Sequence, residues 1–188
     1  KQAVPITYYQ QFVSGEKIVA ATTIPTTADD YLAKAKVLLG VKDKENEVIN
    51  FANKALNLEE RAIAYFYRAY AQYDLEEYKS AIEDYTKAIE IDPNYSLAYY
   101  NRGFTKYDLE DYKGAIEDYT KAIEIDPEYV NAYFNRAFVK DTLEDYKGAI
   151  EDYKKVIKLA PNEPDVYFNL GIIKYDLGDY KDAIDDYT

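Results

Sequence analysis

Cysteine and histidine are both missing from the 188-residue chain. Without thiols there can be no disulfide framework and no thiolate metal site, and without imidazole the common zinc sites and the usual general base are gone too. A cysteine-free chain suits reducing and oxidising compartments equally, so composition leaves localisation open. Methionine is absent even at position 1, as expected of a processed or excised fragment. No apolar run approaches the length that crosses a bilayer, and residues 1–30 lack the continuous apolar centre of a secretory signal. There is no glycine-rich phosphate loop, and the three serines have no histidine to activate them. These absences predict a chain that is not an enzyme and that carries no cofactor and no metal.

Acid is what the chain has in excess, with a formal net charge of −12. Residues 1–61 hold eight Lys+Arg against eight Asp+Glu, so the whole surplus falls in residues 62–188, with fifteen against twenty-seven. A surface of that sign repels phosphate backbones and anionic headgroups, which excludes nucleic acid and membrane docking as expected partners.

Sliding the sequence along itself by 34 residues brings Pro93, Pro127 and Pro161 into register, together with Tyr65, Tyr99, Tyr133 and Tyr167. The run DYKGAIEDYTKAIEIDP from Asp111 to Pro127 nearly repeats EYKSAIEDYTKAIEIDP from Glu77 to Pro93. A fixed period of this length is the signature of a stacked repeat architecture. Inside each unit two helical stretches flank a short polar turn, such as LEDY at 109–112, where Asp111, Asp145 and Asp179 are placed to cap the second helix. In that helix Ala115, Ile116, Tyr119, Ala122 and Ile123 form one apolar stripe. On its outer side Glu117 with Lys121, Glu83 with Lys87 and Glu151 with Lys155 stand four apart as solvated pairs. Proline closes the unit because it cannot donate the N–H that a helix interior requires.

The pattern resembles the tetratricopeptide repeat family, whose signature slots are held here by Tyr99, Gly103, Ala115, Tyr119, Ala122 and Pro127. The same slots read Tyr65, Ala69, Ala81, Tyr85, Ala88 and Pro93 one unit earlier, and Tyr133, Ala137, Ala149, Tyr153, Val156 and Pro161 one unit later. Full units are therefore expected at 62–95, 96–129 and 130–163, a truncated one at 164–188, and a degenerate one at 28–61. Residues 1–27 lie outside the repeats and are compatible with a disordered leader, an extended arm or part of an upstream domain. Arg68, Arg102 and Arg136 stand where the family often has Leu, and each is expected to pair with an acid of its own hairpin, as Arg102 with Asp118. Leu170 takes that place in the last unit.

The resemblance implies an all-α, right-handed superhelical solenoid of helix-turn-helix hairpins, with the first helix of each hairpin lining a concave, peptide-binding side. On those helices Phe66, Tyr70 and Tyr73 fall at i, i+4 and i+7, as do Tyr100, Phe104 and Tyr107. Phe134, Phe138 and Asp141 follow, then Phe168, Ile172 and Tyr175. Tyr99, Tyr112 and Tyr119 are expected in the core, while this second stripe is expected on the groove, where rigid rings give contact area at small entropic cost. Asn101, Asn135 and Asn169 stand beside it, and amides that donate and accept at once suit an extended backbone.

The family's clamp for the acidic C-termini of heat-shock proteins is incomplete, since Phe66, Tyr70, Asn131 and Asn135 occupy its places. Asp74, Asp108 and Asp176 point instead to a neutral or basic partner. The function that follows is an interaction scaffold for an extended peptide or protein segment. Alternatives are the repeat region of a larger enzyme or sensor, and a self-assembly module that associates weakly through a truncated last hairpin exposing Ile173, Ile184 and Tyr187.

Overall fold

The computed structural model describes residues 25–178, and among them there are nine helices and no strand. Helix α1 spans Ala28–Leu38, α2 Glu45–Leu56, α3 Ala62–Asp74, α4 Tyr78–Ile91 and α5 Ser96–Asp108. Then come α6 at Tyr112–Ile125, α7 at Val130–Thr142, α8 at Tyr146–Leu159 and α9 at Pro164–Asp176. Each helix packs on its sequence neighbours, and α3, α5 and α7 also touch one another in order, which is the connectivity of stacked hairpins.

Local chemistry sets the hairpin turns. Asp111 and Asp145 cap α6 and α8, their carboxylates accepting from the N–H groups of Gly114 (3.0 Å) and Gly148 (3.1 Å). Asp179 lies outside the described residues. Helices α3, α5 and α7 each end in a Schellman closure: in α5 the Glu110 N–H donates to Tyr107 O (2.8 Å) and the Asp111 N–H to Lys106 O (2.9 Å). That closure needs a left-handed residue, which is Glu76, Glu110 and Glu144 (φ 61°, 61° and 62°) in these three units; Gly178 after α9 is left-handed as well.

The hairpins close on small residues and one large ring. Ala81, Ala115 and Ala149 are fully buried, and so, within 1%, are Tyr85, Tyr119 and Tyr153. At Gly103 a methyl group would stand 3.1 Å from both Asp118 Cβ and Tyr119 Cε1, so α5 and α6 cross closely there, at the slot that buried Ala69 and Ala137 fill in the neighbouring hairpins.

Half-buried arginines lock the stack in two directions. Arg102 grips Asp118 of its own hairpin through Nε (2.9 Å) and Nη2 (2.6 Å), while Nη1 donates to Thr86 of the preceding one (3.0 Å). Arg136 repeats this with Asp152 and Thr120, and Arg68 with Asp84 and Asn53. Lys106 and Lys140 add a second cation to Asp118 (2.8 Å) and Asp152 (2.7 Å). Paired in this way, a buried carboxylate is tolerable. Leu170, 4% exposed, replaces the arginine in the fourth unit, and Lys154 replaces the threonine that would have received it.

The outer face differs in detail from the expected pairs. Lys87 and Lys121 bond forward to Glu90 and Glu124, three residues on, rather than back to Glu83 and Glu117. All four partners are more than half exposed, so either geometry contributes little.

Candidate functional site

The first helices α3, α5, α7 and α9 carry every residue expected on the groove, but the structure sorts those residues into two depths. The outer set forms a ring ladder. Tyr73 meets Phe104 of the next unit edge-on at 5.7 Å, Tyr107 meets Phe138 in the same way at 5.7 Å, and both tyrosines lean on the turn residues Tyr78 and Tyr112. Tyr73, Phe104 and Tyr107 are half-buried, whereas Phe168 and Tyr175 are 46% and 48% exposed.

Phe66, Tyr100 and Phe134 belong instead to the core, a correction to the sequence expectation. Phe66 packs on Tyr85 (5.7 Å) and Tyr95 (5.1 Å), Tyr100 on Tyr119 (5.8 Å) and Tyr129 (5.0 Å), and Phe134 on Tyr153 (5.4 Å). They are 0%, 8% and 1% exposed. Tyr70 and Phe138 are also buried. Tyr99, expected in the core, is only half-buried, with the Arg102 guanidinium over its ring at 5.5 Å.

The asparagine ladder is corrected as well. Asn135, buried, spends its amide N–H on the Tyr100 hydroxyl of the preceding unit at 2.9 Å. Asn101 is half-buried and donates back to Leu97 O of its own helix at 2.8 Å. Asn169 is buried, 1% exposed, and its amide makes no hydrogen bond. Of the three amides, only that of Asn135 bridges two units.

Carboxylates line the C-terminal ends of the same helices. Asp108 accepts a hydrogen bond from the Tyr73 hydroxyl at 2.6 Å; burial pushes its carboxyl above the ordinary range, and this bond pulls the other way. Asp74 is pushed up to about 6, first by burial and then by the charge of Glu45 on α2. Asp141 rises through burial and the charge of Asp176 on α9. No basic side chain contributes to any of the three; Arg68, Arg102, Lys106, Arg136 and Lys140 face the buried aspartates of the second helices instead. At these three carboxylates the inner wall is aromatic and acidic.

Sequence comparison finds the family on most of the described chain. Models described as "Tetratricopeptide repeat" match residues 62–95, 96–129 and 118–151, and one described as "TPR repeat" matches 143–178. The chain belongs to the tetratricopeptide repeat family. No curated protein sequence matches it at a significant level. Among solved structures it is similar to MamA (residues 41 to the end) from Desulfovibrio magneticus RS-1, with TM-score 0.78, 20% identity, and 88% of this chain and 93% of the other covered. It is also similar to YrrB, described as a TPR protein with an unusual peptide-binding site (TM-score 0.73, 22% identity, 85% and 82% covered). A third is the first TPR of Spaghetti (RPAP3), solved bound to the HSP90 peptide SRMEEVD (TM-score 0.61, 25% identity, 63% and 94% covered). The first two likenesses are of fold.

Two features of this tetratricopeptide array break the regularity of its repeat. Asp141 takes the place of Tyr73, Tyr107 and Tyr175, so the ring ladder gives way to acid at the third unit. A cavity of about 280 Å³ opens between the starts of α5 and α7, lined by Ser96, Leu97, Tyr129, Val130, Asn131 and the acid pair Asp126 and Glu128. Its signal was in the repeat: the corresponding positions are Asp92 and Asn94 one unit earlier, and Ala160 and Asn162 one unit later, so two acids occur at this junction alone. Among the described residues no three metal-ligating side chains gather, and no helix is long and apolar enough to cross a membrane.

Proposed function

We propose that this array is a scaffold that holds an extended segment of a partner protein along its concave face, on α3, α5, α7 and α9. Tyr73, Phe104 and Tyr107 form the floor, Phe168 and Tyr175 continue it, and Asp74, Asp108 and Asp141 form the rim. The observation that carries the reading is the half-buried ring ladder beside carboxylates that no basic side chain neutralises. Rings give a segment area and rigidity, and unneutralised acid selects a neutral or basic one. Two similar structures are described as having a peptide-binding site or a bound peptide, which supports a peptide ligand; the acidic SRMEEVD sequence bound by one of them is the charge type this wall disfavours. Without histidine or cysteine the chain is read as a binding protein rather than a catalyst. A photo-crosslinking residue placed at Tyr107 should trap the partner, and one placed at Lys121 on the outer face should not. Trapping from Lys121 alone would overturn the assignment.

A second reading, weak association between copies, is favoured by Phe168, Tyr175 and Leu177, which are exposed together around α9 at 46%, 48% and 56%. Of the residues first expected to drive it, Ile173 is fully buried, and Ile184 and Tyr187 lie outside the described residues. Light scattering at two concentrations tests it, and a monomer at both would end this reading.

A further inference from the structure

We propose that the cavity between the starts of α5 and α7 is an anchor pocket for one cationic side chain, arginine or lysine, of a bound segment. Its volume of about 280 Å³ falls below the roughly 300–1,000 Å³ of small-molecule sites, which suits a single side chain rather than a cofactor. Leu97, Val130 and the Tyr129 ring, all half-buried, offer an apolar wall for an aliphatic stem. Asp126 and Glu128, both exposed, form the lip. One Asp126 oxygen accepts from the Glu128 N–H at 3.1 Å, which fixes the turn, and among the described residues no basic side chain pairs with either carboxylate.

The sign of the pocket follows from magnitudes. Two helix N-termini, of α5 and α7, border it, and each contributes about half a positive charge, roughly one in total. Two carboxylates outweigh that, so the pocket is net negative and accepts a cation. The neighbouring junctions hold one acid at these positions or none, so the anchor is confined to one place in the array.

Geometry then fixes a spacing, and this second step rests on the concave-face reading. The 13 residues of α5 run about 20 Å at 1.5 Å each, and an extended segment covers about 3.3 Å per residue. A second cation about six residues along the segment therefore reaches Asp108 at the other end of the helix.

Two probes test the proposal on the full chain by NMR. N-acetylarginine methylamide should shift the amides of residues 96–98 and 128–131 with millimolar saturation, and the neutral citrulline analogue should not. In the Asp126→Asn, Glu128→Gln variant, which keeps the turn acceptor, the affinity should fall about tenfold or more. Equal shifts with citrulline, or an unchanged affinity in the variant, would overturn the pocket. Next, an acetylated serine peptide with two arginines six residues apart should bind about tenfold more tightly than one with adjacent arginines. Only the spaced peptide should weaken in Asp108→Asn. If the single-arginine probe binds but spacing has no effect, the pocket stands and the concave path is wrong; if the probe fails, the pocket is wrong whatever the groove does.

Discussion

Replacing Arg102 by Leu asks how much of the array's stability lies in its buried ionic stitches. The guanidinium makes two bonds to Asp118 and one to Thr86, and Asp118 is only 3% exposed. Removing one member of a buried pair costs about 3–5 kcal/mol, because the remaining charge has lost its partner. Lys106, 2.8 Å from Asp118, still supplies a cation, which places the expected loss near the lower end, about 3 kcal/mol. Leu itself is acceptable at this position, as buried Leu170 shows one unit pair further on. The cost should therefore lie in the stranded carboxylate, and adding Asp118→Ala should recover about half of it or more. Urea unfolding followed by circular dichroism measures this, with the slope checked for constancy since a repeat array can unfold unit by unit. A single variant that loses less than about 1 kcal/mol, or a double variant that loses the sum of two independent costs, would refute the reasoning.

Other consequences follow from individual residues. Asp74 has a folded pKa of about 6 against an ordinary 3.8, so the folded state binds the proton more tightly. The stability this confers is present below pH 3.8 and is lost as pH rises through 6. Asp74→Asn should accordingly raise the melting temperature at pH 7 but not at pH 4, and an equal effect at both would contradict the assignment. Phe134→Tyr should supply Asn169 with the hydroxyl that Tyr100 gives Asn135, adding about 0.5–1.5 kcal/mol in urea unfolding. The same change in an Asn169→Leu background should add nothing.

The helical-hairpin architecture was legible in the sequence, because a 34-residue period with recurring Tyr and Pro slots admits one fold class. So were the caps at Asp111 and Asp145 and the Arg102–Asp118 pair, since short polar side chains at turns and charges on apolar stripes each have one economical solution. The groove was less legible. Helical periodicity says which face of α5 a ring occupies, but not how many neighbours cover that face. Tyr99 and Tyr100 differ by one helical step; the first is half-buried under Arg102, and the second is covered by Tyr119 and by Tyr129, which leads into the next unit. Asn135 was misplaced for the same reason, its partner Tyr100 lying 35 residues away. What the single-helix reading did preserve is the outer ladder of Tyr73, Phe104 and Tyr107 with Asp108 beside it.

Calorimetric titration of the trapped partner segment into two variants tests the concave-face account most directly. Phe104→Ala with Tyr107→Ala removes two floor rings, and Glu117→Ala with Lys121→Ala is the outer-face counterpart, each first shown by circular dichroism to remain helical. A buried aromatic anchor costs about 2 kcal/mol or more when truncated, so with even one of the two rings acting as an anchor the inner variant should lose at least about thirtyfold in affinity, while the outer one stays within about twofold. Retained affinity in the inner variant together with loss in the outer one would contradict the account, because the partner would then lie on the second helices.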